Sequence, residues 1–112
     1  MPLINVCTSI KEPRDTEELL RELSREISAL TGKPEQFVMA ILQHSVPMAF
    51  AGNTDPCCYV EVKSIGSINQ QNISKSICRL IEERLGISGK RTYIGFEDVH
   101  PSNWGFDGRT FG

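Results

Sequence analysis

The chain runs through one plan twice, and that recurrence restricts its fold more than any other feature. Leu3 to Thr8 is dense in apolar residues and reads as a strand, followed by a polar loop that Pro13 closes. Asp15 with Glu18 three residues later has the form of a capping box. Leu19, Leu20, Leu23, Ile27 and Leu30 then recur at helical spacing, and Gly32 is placed as the C-terminal stop. Residues 37–42, behind Pro34, form a short continuous apolar run that suits a strand buried on both faces. The second half answers in the same order. Residues 58–63 alternate as a strand, Ser67 and Gln70 offer another capping box, and Ile73, Ile77, Leu80, Ile81 and Leu85 mark a second helix stopped by Gly86. Residues 92–96 supply the last strand, and the offset between the halves is roughly 55 residues, as two βαβ units require.

Two such units predict an α/β, two-layer domain over residues 1–112: a four-stranded mixed sheet with both helices on one face. Residues 47–56, rich in Gly, Asn, Asp and Pro, read as the connection between the halves, with room for a short edge strand at 48–50. Two helices cover only one side of the sheet. The other side still carries apolar residues, which a subunit this small buries best against copies of itself, although periodicity does not choose between a dimer and a trimer.

A chain of 112 residues is long enough to bury a core without disulfide or metal support. Lys and Arg number 12 against 14 Asp and Glu, and a net charge of -2 provides no field to attract nucleic acid. No apolar stretch approaches the ~20 residues that span a bilayer, and no N-terminal signal-peptide pattern is present, so the expected location is the cytoplasm, with any export by a route that uses no signal peptide. Cys7, Cys57, Cys58 and Cys78 lack zinc-ligand spacing, and His44 and His100 lie far apart, so no metal site is expected. The vicinal pair Cys57 and Cys58 is poor geometry for a structural disulfide and fits reduced thiols.

The N-terminus carries the chemical interest. A start of Met1-Pro2 favours removal of the methionine, which would leave Pro2 as a free secondary amine at the end of an apolar strand. Met1-Pro2-Leu3-Ile4, Thr31-Gly32-Lys33-Pro34, residues 47–52 (PMAFAG), Lys63-Ser64-Ile65-Gly66 and Arg91-Thr92-Tyr93-Ile94 occur in an order that resembles the macrophage migration inhibitory factor family of the tautomerase superfamily over essentially the whole chain. The resemblance implies a homotrimer with active sites at subunit interfaces, and a cofactor-independent keto-enol tautomerase acting on small α-keto acids of the phenylpyruvate type. Pro2 matches the catalytic proline, Lys33 the lysine that holds the substrate carboxylate, Ile65 the residue whose backbone amide contacts it, and Tyr93 the tyrosine contributed by the neighbouring subunit. Trp104 and Phe106 match the aromatic wall, with Trp104 where an aliphatic residue is familiar and Phe106 where a tryptophan is. Gly95 replaces an asparagine that reaches the far end of an aromatic substrate, and Cys57-Cys58-Tyr59-Val60 lacks the second cysteine of the animal members' Cys-x-x-Cys.

The chemistry fits those residue types. An α-amino group has a reference pKa of about 7.7–8.0, and burial or a nearby ammonium pushes it toward the free base needed for proton abstraction. Each residue also has a purely structural explanation. Lys33 follows a helix-ending glycine, where the dipole favours a cation by ~0.3–1 kcal/mol. Ile65 suits a strand end, and Tyr93 a core aromatic with its hydroxyl at the rim. The alternative function is a non-catalytic, cytokine-like trimer that binds another protein.

Overall fold

The computed structural model describes residues 1–112. The elements are β1 (Leu3–Thr8), α1 (Thr16–Thr31), β2 (Met39–Gln43), β3 (Cys58–Ser64), α2 (Gln70–Leu85), β4 (Thr92–Asp98) and two short strands, β5 (Gly105–Phe106) and β6 (Arg109–Thr110). The main sheet has the order β2-β1-β3-β4. β1 pairs parallel with β2 and β3 parallel with β4, and the two halves meet where β1 and β3 run antiparallel. This is the mixed sheet that the doubled strand-helix-strand pattern dictates.

Strand alternation sorts the side chains into two faces. Ile4, Val6, Val60 and Val62 are fully buried on the face against the helices. They meet Leu19, Leu23 and Ile27 of α1 and Ile73, Ile77 and Ile81 of α2 in one hydrophobic cluster. Each fully buried Leu, Ile or Val contributes about 1.5–3 kcal/mol, so this stripe-on-sheet contact dominates what holds the layers together. Across the outer side of the helix pair, Arg84 of α2 is ion-paired to Glu22 of α1, and Ser76 donates to Glu26.

The opposite face has no helix over it. The register aligns Met39, Leu3, Lys63 and Glu97 in one row and Gln43, Cys7, Tyr59 and Tyr93 in another. Met39 and Tyr93 are 61% and 66% exposed there, unusually open for large apolar side chains in a sheet.

Several local expectations are corrected. Both helices end at left-handed glycines, Gly32 and Gly86, as expected, but neither begins with a capping box. Asp15 is itself left-handed, with φ 49°, and its side chain caps nothing. At α2 the cap is Asn69, whose side chain accepts from the Asn72 N–H, and Ser67 lies in the turn before it. The apolar run at 37–42 is not a strand buried on both faces. Its start is a 3-10 turn, Glu35–Phe37, and β2 is an edge strand, because the sheet ends there. Residues 48–50 form no strand, only an isolated bridge between Phe50 and Asn53.

Candidate active site

The start of β1, the end of β3 and the end of α1 converge at one end of the sheet. Pro2 is fully buried, and its carbonyl accepts the Met39 N–H at 3.1 Å, which ties the first residues to β2. Gly32, at φ 71°, turns the chain out of α1 in a conformation that a side chain disfavours. Lys33 comes next, held through its main chain: its N–H donates to Thr31 Oγ1 at 3.3 Å, and its carbonyl accepts from Ser28 Oγ at 2.6 Å. The backbone is therefore fixed independently of the ammonium.

Lys33 and Ile65 line a cavity of about 290 Å³ together with Met1, Pro34, Phe37, Pro101 and Phe111. The Ile65 segment is shaped by two consecutive positive φ values, at Gly66 and Ser67. It is pinned by the Gly66 N–H donating to Asp98 Oδ1 at 2.9 Å and the Val99 N–H donating to the Ser64 carbonyl at 2.8 Å. The chain-terminal amine, on Met1, has its pKa lowered below the usual value first by burial and then by the Lys33 ammonium. One cation, one amine of reduced basicity and several apolar walls thus share a single concavity.

Pro2 borders a second, adjoining cavity of about 250 Å³, whose walls include Met1, Phe37, Trp104, Phe106 and Phe111. With Met1 in place, Met1 rather than Pro2 faces Lys33. Trp104 and Phe106 therefore stand near Pro2 but do not line the Lys33 cavity. The aromatic wall is built by the hairpin β5–β6, which turns at Asp107 and Gly108, both at positive φ. Phe106 lies parallel to Phe111 at 5.8 Å and edge-on to Phe37 at 6.0 Å.

Tyr93 is not gathered with the others in one protomer. It lies on the helix-free face, edge-on to Phe50 at 4.8 Å, and it is not a core aromatic. Phe50 is in turn covered by the Arg91 guanidinium, which also donates to the carbonyls of Pro56, Phe50 and Asp55. Gly95 leaves space for Tyr59, whose hydroxyl would lie 3.2 Å from any Cβ at position 95. The four cysteines are free thiols, and no three His, Cys, Asp or Glu side chains form a metal-holding group.

Sequence reasoning missed Phe37, Pro34 and Pro101 as cavity walls. It also missed the C-terminal hairpin, although Asp107-Gly108 is a strong two-residue turn signal. Ser64 is fully buried and its hydroxyl has no hydrogen-bond partner, a fact that no sequence pattern signals.

Comparison with known proteins gives a consistent result. The family model described as macrophage migration inhibitory factor matches residues 1–112. Macrophage migration inhibitory factor of Rattus norvegicus is 38% identical over 117 residues, covering 99% of both chains. Among solved structures, the macrophage migration inhibitory factor homologue from Prochlorococcus marinus superposes with a TM-score of 0.95 at 51% identity, covering 98% of this chain and 99% of its own. The macrophage migration inhibitory factor-like protein of Entamoeba histolytica gives a TM-score of 0.91 at 27% identity, covering 98% of each chain.

Proposed function

Because the chain belongs to the macrophage migration inhibitory factor family, we propose that it is a cofactor-independent keto-enol tautomerase of phenylpyruvate-type α-keto acids, with Pro2 as the base once Met1 is removed. The observation that carries this reading is the placement of the terminal amine in the Lys33 cavity, where burial and the ammonium both disfavour its protonated form. Losing Met1 transfers that amine to Pro2, one residue further along the same strand, and empties the part of the cavity that Met1 lines.

The neutral Pro2 nitrogen takes a proton from the carbon next to the ketone, and the electron pair of that C–H bond becomes the enolate double bond. The protonated Pro2 nitrogen then returns that proton to the enolate oxygen, so the net change moves one proton from carbon to oxygen and regenerates the neutral amine. Lys33 and the Ile65 N–H bind the carboxylate, which fixes the reacting carbon beside the amine and keeps the substrate charge paired. Phe37 and Phe111 exclude water, and Trp104 and Phe106 extend the apolar wall.

The working unit in this reading is a homotrimer of the single 1–112 domain, located in the cytoplasm. Tyr93 of one subunit then completes the site of the next, which accounts for an exposed tyrosine propped by Phe50 on the helix-free face. Activity in a monomer is not expected. The test is to compare phenylpyruvate enol conversion by Met1-free protein, confirmed by intact mass, with that of a Pro2→Gly variant. Loss of most of the ~10²–10⁴-fold worth of positioned acid-base catalysis supports the base. Equal rates remove Pro2 from the mechanism and leave a protein-binding trimer as the better reading.

A further inference from the structure

Ser64 Oγ is the one buried side-chain polar atom in the chain without a hydrogen-bond partner, and its residue is fully buried. Such a hydroxyl is costly, and its position suggests what it is for. The β1/β3 register pairs Leu3 with Lys63 and Ile4 with Val62, so the next pair along is Pro2 with Ser64. The Ser9 N–H donates to the Cys57 carbonyl at the far end of the ladder, so the odd-numbered β1 residues form the hydrogen-bonded pairs. Pro2 and Ser64 are then a non-hydrogen-bonded pair, the kind with Cα atoms about 4.5 Å apart and side chains closest.

The ladder contains its own precedent for where such a hydroxyl reaches. Thr8, paired with Cys58 at the opposite end and on the same face, donates from Oγ1 at 3.0 Å to the carbonyl of Cys57, the residue before its partner. The local twofold of the antiparallel pair carries Thr8 onto Ser64, and Cys57 and Cys58 onto Met1 and Pro2. Ser64 is thereby directed at the Met1-Pro2 peptide. That peptide nitrogen has no proton to give, and Ser64 makes no bond to the Met1 carbonyl. Removal of Met1 replaces the peptide with a secondary amine.

We infer that Ser64 is the positioning residue for the Pro2 amine: its oxygen accepts the single N–H of the neutral amine, so that the lone pair faces the cavity lined by Lys33 and Ile65. A secondary amine inverts readily, and an anchored N–H selects the productive invertomer. The bond persists when the nitrogen is protonated and then favours the ammonium. The other charged groups at this end are Lys33 after α1, Asp98 on β4, which is held by the Gly66 N–H, and Glu35 in the 3-10 turn, which is held by Ser24. His100, before Pro101, is hydrogen-bonded to Ser102, and Lys63 pairs with Glu97 on the other face.

This inference rests on the proposed role of Pro2, and the experiment separates the two. In Met1-free protein, Ser64→Ala should lower kcat about tenfold, the rate equivalent of one hydrogen bond, with KM unchanged. The acid limb of the pH-rate profile should move to lower pH, because an acceptor that favours the ammonium is gone, and Ser64→Thr should restore both. In protein that retains Met1, Ser64→Ala should leave the Tm unchanged or raise it, since only an unpaired hydroxyl is lost. An unchanged kcat and acid limb in Ser64→Ala, alongside an inactive Pro2→Gly variant, overturns the inference and spares the base. If Pro2→Gly is fully active the base reading falls, and an NMR titration of the Pro2 amine decides the contact: a lower pKa in Ser64→Ala supports it, and an identical pKa overturns it.

Discussion

Lys33→Met is the sharpest perturbation of the proposed site. Methionine keeps an unbranched stem against the cavity wall and deletes the charge. The Lys33 main chain is held by Ser28 and Thr31, so the loop should keep its course, and stability should stay within about 0.5 kcal/mol of the parent. A hydrogen bond to a charged group is worth about 1.5–3 kcal/mol, which converts to a roughly 10- to 150-fold weaker hold on the carboxylate. The carboxylate is held alike in ground and transition states, so the loss belongs mainly in KM. A second effect follows from the amine. The Met1 amine has its pKa lowered by burial and, after that, by Lys33, and the Pro2 amine that takes its place beside the Lys33 cavity should respond alike: deleting the ammonium lets its pKa rise. The active form is the neutral amine, and activity is lost as pH falls through that pKa. The acid limb of kcat/KM in the variant must therefore shift to higher pH. Initial rates of enol conversion across pH, on Met1-free protein of verified mass, measure both effects. A variant with the parent KM and the parent acid limb would refute the carboxylate clamp and the electrostatic coupling together.

Other expectations concern the fold around the site. Asn69→Ala should cost about 1 kcal/mol, or roughly 4–8 °C in Tm, because it removes the α2 cap; Asp15→Gly should be neutral or stabilising, because Asp15 caps nothing and sits at φ 49°. Thermal unfolding of both variants checks the contrast, and equal losses would count against it. Gly95→Ala should be better tolerated in a Tyr59→Phe background than in the parent, with a coupling of about 1 kcal/mol in a double-mutant cycle, since a Cβ meets the Tyr59 hydroxyl at 3.2 Å. The Cys58 thiol, pushed up to about 12 by burial first and then by its cysteine neighbours, should resist alkylation at mildly alkaline pH, while the part-exposed Cys78 of α2 is labelled before it. Peptide mapping after limited iodoacetamide treatment reads the order of labelling, and early labelling of Cys58 would contradict its burial.

The two-layer plan was legible because Leu19, Leu23, Ile27 and Ile73, Ile77, Ile81 keep strict helical spacing, and Gly32 and Gly86 mark where each helix must stop. The helix starts were not. Asp15 and Glu18 match a capping pattern, but the chain enters α1 through a left-handed Asp15 whose side chain makes no capping bond. The run at 37–42 looked buried on both faces because periodicity reports hydrophobicity and not position in the sheet; Met39 spends its apolar side chain on an uncovered edge. Lys33 and Ile65 line one cavity because each directly follows an element that ends at the same end of the sheet, Lys33 after α1 and Gly32, Ile65 after β3. Ser64 was invisible, because an unpaired hydroxyl is a property of the space around it.

The hydrophobic cluster draws on no buried residue beyond Ile87, yet three of the four rings that wall the cavities, Trp104, Phe106 and Phe111, belong to the tail that carries the β5–β6 hairpin, Phe37 being the fourth. Folding and selectivity are consequently entrusted to different stretches of chain. Evolution can retune which side groups the pocket accepts by drift in the last dozen or so positions without endangering the scaffold, and a protein engineer could graft a foreign tail there for the same reason.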